Sequence, residues 1–262
     1  MPIEQLNHGI NRTFRKGDRF YKISSLGGSP HAEAAVNRGF HILGLPHVPT
    51  TTKTFGKLVG TEAPFIHGMT PIAQLHHEQA KEAWGSPDRH LNTLLGEYLF
   101  NVSDRHGANY AHVPGQGVVS IDHGIAIHPA TSYWHDYANR GESLRGEHQL
   151  RTGPYEWSYH PKKSALVSLM QLGLSSDSKH LIPGRVNPDV LATALARRHE
   201  LEELIHHGTH GLPEEERGLA RLAYRARVRA LEHYASAGHP LDIHALANAH
   251  HRALEYAQEH LS

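Results

Sequence analysis

Two short alternating runs sit near the start of the chain. Arg12-Thr13-Phe14-Arg15 and Arg19-Phe20-Tyr21-Lys22-Ile23 flank Lys16-Gly17-Asp18, a tight-turn composition, and predict a β-hairpin. Gly27-Gly28-Ser29-Pro30 then interrupts the pattern. Ser29 suits an N-cap and Pro30 the first helical position, so the spacing predicts a helix through Ala32–Leu43, stopped by Gly44. Residues 48–55 and 57–60 read as two further strands, and residues 63–68 as a connector. From about residue 70 the period becomes helical. Ser86-Pro87-Asp88 opens a helix whose apolar stripe is Leu91, Leu94, Leu95, Tyr98 and Leu99. Residues 110–113 and 117–121 form a second hairpin around Pro114-Gly115-Gln116. Residues 129–160 are polar, aromatic and loop-like, and helices are predicted near 162–173, 188–206, 213–236 and 241–260. A β-rich region with one helix thus precedes a mainly helical region, and the cleft between them is the default ligand site.

Composition narrows this picture only slightly. The 262 residues carry 39% hydrophobic and 20% charged side chains and a formal charge of zero, so no global field points to nucleic acid. Absence of cysteine excludes disulfides, thiolate zinc sites and a thiol nucleophile, and fits a cytoplasmic setting. The opening Met-Pro-Ile-Glu-Gln-Leu-Asn-His has no basic stretch followed by an apolar one, so no signal peptide is expected. No apolar run approaches the ~20 residues of a membrane span. Histidine is over-used, at 26 residues. Pairs such as His206 and His210 have helical spacing, but no carboxylate or His-Glu-x-x-His pattern completes a metal site, so they read as solvated helix faces.

The chemistry concentrates in two segments. In Ser103-Asp104-Arg105-His106-Gly107-Ala108-Asn109 an Asp precedes an Asn by five residues. Thirteen residues after that Asn, Asp122 ends the apolar run Val118–Ile121 and is followed by His123 and Gly124. Phosphoryl transfer from ATP needs such a set: one carboxylate to orient or deprotonate an acceptor hydroxyl, and an amide oxygen with a second carboxylate to hold Mg²⁺. Singly, each piece is an ordinary turn or cap. Their joint order and spacing favour the catalytic reading.

Lys22 on a strand, followed by Glu33 on a helix, is the order in which kinases clamp the α- and β-phosphates. Asn7-His8-Gly9-Ile10-Asn11-Arg12-Thr13 is a candidate phosphate-covering loop, with Gly9 and Asn11 as its contacts; Gly27-Gly28-Ser29 ranks below it. Gly39–Gly44 has the glycine spacing of a Walker A loop, but Leu45 stands where Lys is required and the segment is helical. No Gly-x-Ser-x-Gly elbow, His-Glu-x-x-His or dinucleotide fingerprint is present.

At these residues the chain resembles the atypical kinases of the phosphatidylinositol 3-/4-kinase-like group, a set that includes HipA toxin kinases, Fam20-type kinases and bacterial PI3/4-kinase-like proteins. The resemblance rests on Asp104-Arg105-His106-Gly107-Ala108-Asn109 and Asp122-His123-Gly124, with Lys22 and Ala32-Glu33-Ala34-Ala35 upstream in the same order. Leu43–Thr50 follows that helix as in the family, and Ala63–Pro71 resembles the hinge that holds adenine, with Phe65 and Ile66 at its centre. It covers residues 7–128. The β-rich region is shorter than usual, and His123 replaces the Phe of many kinases.

The resemblance implies an α+β, two-lobed, protein-kinase-like fold: one domain, with residues 1–67 as N-lobe and hinge and 68–262 as helical C-lobe. It implies ATP and Mg as cofactors, Asp104 as base or orienting group, and Asn109 and Asp122 as metal ligands. Lys22 binds phosphates and is positioned by Glu33, while Arg105 and His106 brace the loop, with His106 in reach of phosphate. The expected acceptor is a protein Ser/Thr hydroxyl, then a small molecule or lipid headgroup, although no basic amphipathic stretch suits an anionic membrane. A nucleotide-binding pseudokinase, a nucleotidyl transferase on the same scaffold, and an assembly protein working through its C-terminal helices are the rival classes.

Overall fold

The computed structural model describes residues 4–6, 12–23, 29–102, 107–124, 126–127, 184–246, 248–249, 252–253 and 256. Gly9, Asn11, Gly27, Gly28, Asp104, Arg105 and His106, together with residues 129–160 and the expected helix near 162–173, lie outside the described residues.

The architecture is α+β, with an antiparallel sheet in the N-terminal region and helices dominating the C-terminal part, as expected. Strands β1 (Glu4–Leu6), β2 (Arg12–Lys16), β3 (Arg19–Ile23), β4 (Thr51–Phe55) and β5 (Leu58–Pro64) form one sheet in the order β1-β2-β3-β5-β4. The β2–β3 hairpin turns at Gly17, whose φ of 61° is in the left-handed region that glycine adopts freely. β3 lies in the middle of the sheet, with Lys22 opposite Thr13 on one side and Thr61 on the other. Alternation along the strand sends Tyr21 to the other face. There it stacks on Phe14 at 5.0 Å, and Phe55 meets both rings edge-on. One face is therefore aromatic, and the opposite face carries a buried lysine.

Helix α1 (Pro30–Ile42) starts as its sequence predicts: Ser29 Oγ accepts the Ala32 N–H at 3.1 Å, and Gly44 follows the helix at φ 69°. β4 begins at Thr51 rather than Val48. β5 runs to Pro64, so the expected connector starts as strand. Beyond it come β6 (Thr70–Pro71), α2 (His77–Trp84) and α3 (Pro87–Leu99), then β7 (Tyr110–Val113) and β8 (Gly117–Ser120). β6, β7 and β8 make a second antiparallel sheet.

The single helix expected over 188–206 is two, α4 (Pro188–Ala196) and α5 (Arg198–Gly208), bent at Arg197. The bend lets the two halves pack differently. α4 lies on α6 (Glu214–Ser236), while α5 lies on both α6 and α1.

One apolar core joins both regions. It runs from Val36 and Phe40 of α1 through Leu91, Leu94, Leu95, Tyr98 and Leu99 to Leu201, Ile205, Tyr224 and Leu231. The expected α3 stripe is buried throughout. A smaller cluster of Ala111, Val113 and Val119, with Val48, Ile66 and Ile121 against it, sits beside the connector. Among the described residues no helix is long and apolar enough to cross a membrane.

Two measurements test this packing. Gly39 of α1 lies against the fully buried Phe100 ring, where a Cβ would overlap it. Gly39→Ala is expected to lower unfolding free energy by about 1–3 kcal/mol in urea titrations. His90 is fully buried and stacks on Trp84 at 3.9 Å, and burial holds its pKa well below the ordinary value. The folded imidazole is neutral, whereas the unfolded chain takes up a proton below about pH 6.5. Its contribution is therefore present above that pH and lost as pH falls. His90→Phe should flatten the acid side of the stability–pH curve by up to ~1.4 kcal/mol per pH unit.

Candidate functional site

The site begins with a lysine that cannot stay buried alone. Lys22 is 6% exposed. Its ammonium lies 2.9 Å from Glu33 Oε2 and 2.5 Å from Asp122 Oδ1. Burial by itself would lower its pKa, but the two carboxylates outweigh that and hold it above the ordinary lysine value. Strand β3, the first turn of α1 and the segment after β8 thus converge on one cation. Lys22, Glu33 and Asp122, singled out from order in the sequence, are brought together in space.

Several bonds keep that convergence in register. The N–H of Ser29, the N-cap of α1, donates to Gly124 O at 2.7 Å. The helix carrying Glu33 is thereby tied at its start to the loop carrying Asp122. Asp122 itself has a φ of 57°, tolerated better by Asp and Asn than by most residues. The Ile121 N–H donates to Asn109 O at 2.9 Å, which sets Asn109, at the end of a 3₁₀ turn over Gly107–Asn109, next to the Asp122 segment.

Beneath this lies a buried polar chain that the sequence reasoning did not find. Ser120 Oγ donates to Glu97 Oε1 at 2.7 Å, and Tyr110 OH donates to Glu97 Oε2 at 2.8 Å. Since the Ser120 proton is spent on Glu97, His123 Nε2, 2.9 Å from Ser120 Oγ, is the donor in that contact. Nδ1 then carries a lone pair, facing Asn37 Nδ2 at 3.4 Å. Asn37 Nδ2 also donates to Glu33 O at 3.0 Å. These contacts fit a proton on Nε2. The chain runs from the backbone of Glu33 to a carboxylate in the last turn of α3. His123 is fully buried and, through Ser120, links α1 to α3. The faint signals were an i,i+4 pair on α1, Glu33 and Asn37, and a Glu inside an apolar stripe.

The connector residues sit elsewhere. The Phe65 N–H donates to Asp18 O at 2.8 Å, and the Arg15 guanidinium lies over its ring at 3.9 Å. That N–H is therefore engaged by the β2–β3 turn. Ile66 packs on the small cluster with Val48 and Ile121.

A hard divalent cation fits the oxygen donors present. The Asp122 side chain is 44% exposed, and the backbone of Asn109 is bonded to the residue before it. Mg²⁺ takes one or two protein oxygens and completes its shell with water and phosphate. Among the described residues no three His, Cys, Asp or Glu side chains form a protein-only metal site.

No protein-family model matches the chain, and no curated protein sequence does either. Among solved structures it is similar to the proinflammatory kinase CtkA of Helicobacter pylori, at 12% identity over 94% of this chain and 91% of that one, with a TM-score of 0.46. It is also similar to a choline/ethanolamine kinase family protein from Mesorhizobium loti, at 14% identity over 99% and 93% of the two chains, with a TM-score of 0.35. HipA from the Shewanella oneidensis MR-1 toxin–antitoxin system, solved with HipB and operator DNA, matches at 14% identity over 98% and 66%, with a TM-score of 0.30. At such identities and scores these likenesses carry no weight for function, which is argued from the site.

Glu97→Ala would leave the Tyr110 and Ser120 hydroxyls without their acceptor in a closed interior. Denaturant unfolding should show a loss of roughly 2–5 kcal/mol. Glu97→Gln keeps an acceptor oxygen and should lose less.

Proposed function

We infer that the protein is an ATP- and Mg²⁺-dependent kinase that transfers the γ-phosphoryl group to a hydroxyl. One observation carries this reading: Lys22 is held between Glu33 and Asp122, which are 11 and 100 residues away in sequence. A structural ion pair needs one carboxylate. Here a second is drawn in from another element and left partly exposed at the site's edge, where a charged ligand can compete for the ammonium.

In this reading Lys22 binds phosphate oxygens while Glu33 fixes its position. Asp122 and Asn109 are the residues that would hold Mg²⁺, which when bound neutralises charge building on the transferring group. Asp104 orients the acceptor hydroxyl or takes its proton, and His106 braces that loop. Gly9 and Asn11 cover the phosphates, and the connector around Phe65 and Ile66 borders the adenine. Because the Phe65 N–H is engaged, adenine would meet carbonyl oxygens and the apolar Ile66 cluster there.

The test is a substitution that spares the backbone. Asn tolerates the left-handed φ at position 122, so Asp122→Asn should fold normally by circular dichroism. Transfer from γ-labelled ATP to an added protein substrate or to the chain itself should fall by about 10²–10³-fold or more. Wild-type turnover in a folded Asp122→Asn protein would overturn the assignment. Mass analysis of the product should show an added phosphoryl group, and an added nucleotide would identify a nucleotidyl transferase instead.

A further inference from the structure

A second concave site lies on the far side of α1. The residues His31, Ala34, Ala35 and Arg38 line it from that helix. Their spacing makes one helical stripe, roughly opposite the stripe of Glu33 and Asn37 that faces Lys22. α5 with the turn after it contributes His206, His207 and His210, α6 contributes Arg217, and threonines of β4 close another side. The cavity holds about 580 Å³, room for a small organic ligand.

Its chemistry is one-sided. Among the described residues two arginines and four histidines line it, and no carboxylate does. Arg38 forms no ion pair with any described residue. Arg217 shares Glu214, which is largely exposed, with Arg221, and its own Nε is buried without a hydrogen-bond partner among the described residues. Its Nη2 lies 3.2 and 3.1 Å from the two ring nitrogens of His206. The His31 and His210 rings meet at 4.8 Å. Burial, and then the nearby His210, push the His31 pKa down. Like charges crowd here, and the opposite charge that would pair with them is not supplied by the lining.

We propose that this cavity is a binding site for a phosphorylated small molecule, whose phosphate group lies among Arg38, Arg217 and the four histidines. Guanidinium groups match phosphate oxygens in geometry, and each protonated imidazole adds charge. The ligand binds the charged imidazoles better than the neutral ones, so binding takes up protons and weakens as pH rises. The charged groups that line the cavity with the histidines are Arg38 from α1 and Arg217 from α6, and Glu214 pairs with Arg217. Because α1 and α5 both line the cavity, an occupant ties the Glu33 helix to the C-terminal helices. Binding itself does not depend on the kinase reading.

Calorimetric titration of inorganic phosphate into the full chain tests this. At about pH 6 the wild type should bind saturably, and at about pH 8 the affinity should fall by about tenfold or more. Arg38→Gln/Arg217→Gln should abolish binding, and the exposed Arg38→Gln alone should weaken it by about tenfold even if the double variant does not fold. Asp122→Asn, altered at the kinase site, should bind phosphate as the wild type does. Absence of saturable binding, undiminished binding in folded arginine variants, pH-independent affinity, or loss confined to Asp122→Asn would each overturn the proposal.

Discussion

The constraint on which the structure turns is the desolvation of one ammonium group. Placing Lys22 in the middle of a sheet, facing the interior, is costly unless opposite charge comes with it. β3 supplies none, so both partners are imported: Glu33 from the helix after a chain break, and Asp122 from a strand end far downstream. The capping of α1, the tie from Ser29 to Gly124 and the left-handed backbone at Asp122 all serve that meeting of charges. Removing one carboxylate would leave the lysine with a single partner in a poorly hydrated place. The same arrangement readies it for a polyphosphate, since charges already desolvated and fixed need little rearrangement to receive one.

A second tier of polar groups keeps the first in place without touching a ligand. Glu97, Ser120, His123 and Asn37 form a directional chain in which each proton has one sensible owner. Bonds in such a chain polarise and position one another, so its members hold each other in place. It joins α3, the β8 end and α1, the three elements whose relative positions decide where Asp122 and Glu33 lie. A phenylalanine at position 123 could fill the space but could not carry that link.

Much of this was legible in the chain because it is local. The β2–β3 hairpin follows from its turn residues, α1 and α3 from their Ser-Pro starts, and the α3 stripe from its period. Lys22, Glu33 and Asp122 were legible by order alone, each bland in isolation. What stayed hidden is tertiary. Nothing near Glu97 in sequence shows that Tyr110 and Ser120 will need its oxygens. The bend at Arg197 has no glycine or proline to mark it, and follows from the different neighbours of α4 and α5. The basic cavity is assembled from α1, β4, α5 and α6, and its histidines read as surface composition until those elements meet.

The position of α1 has a consequence for how the molecule comes into being. Its alanines press against α5, where a Cβ on Gly208 would come within 3.1 Å of the Ala35 side chain. During synthesis β4, β5 and the α3 residues that meet Phe40 can cover part of α1, but the face that α5 covers stays open until α5 has been made. The helix that carries Glu33 therefore reaches its full packing only after α5 has been made. Until then a nascent chain carries Lys22 and Glu33 without the α5 contact that helps to hold α1 in place.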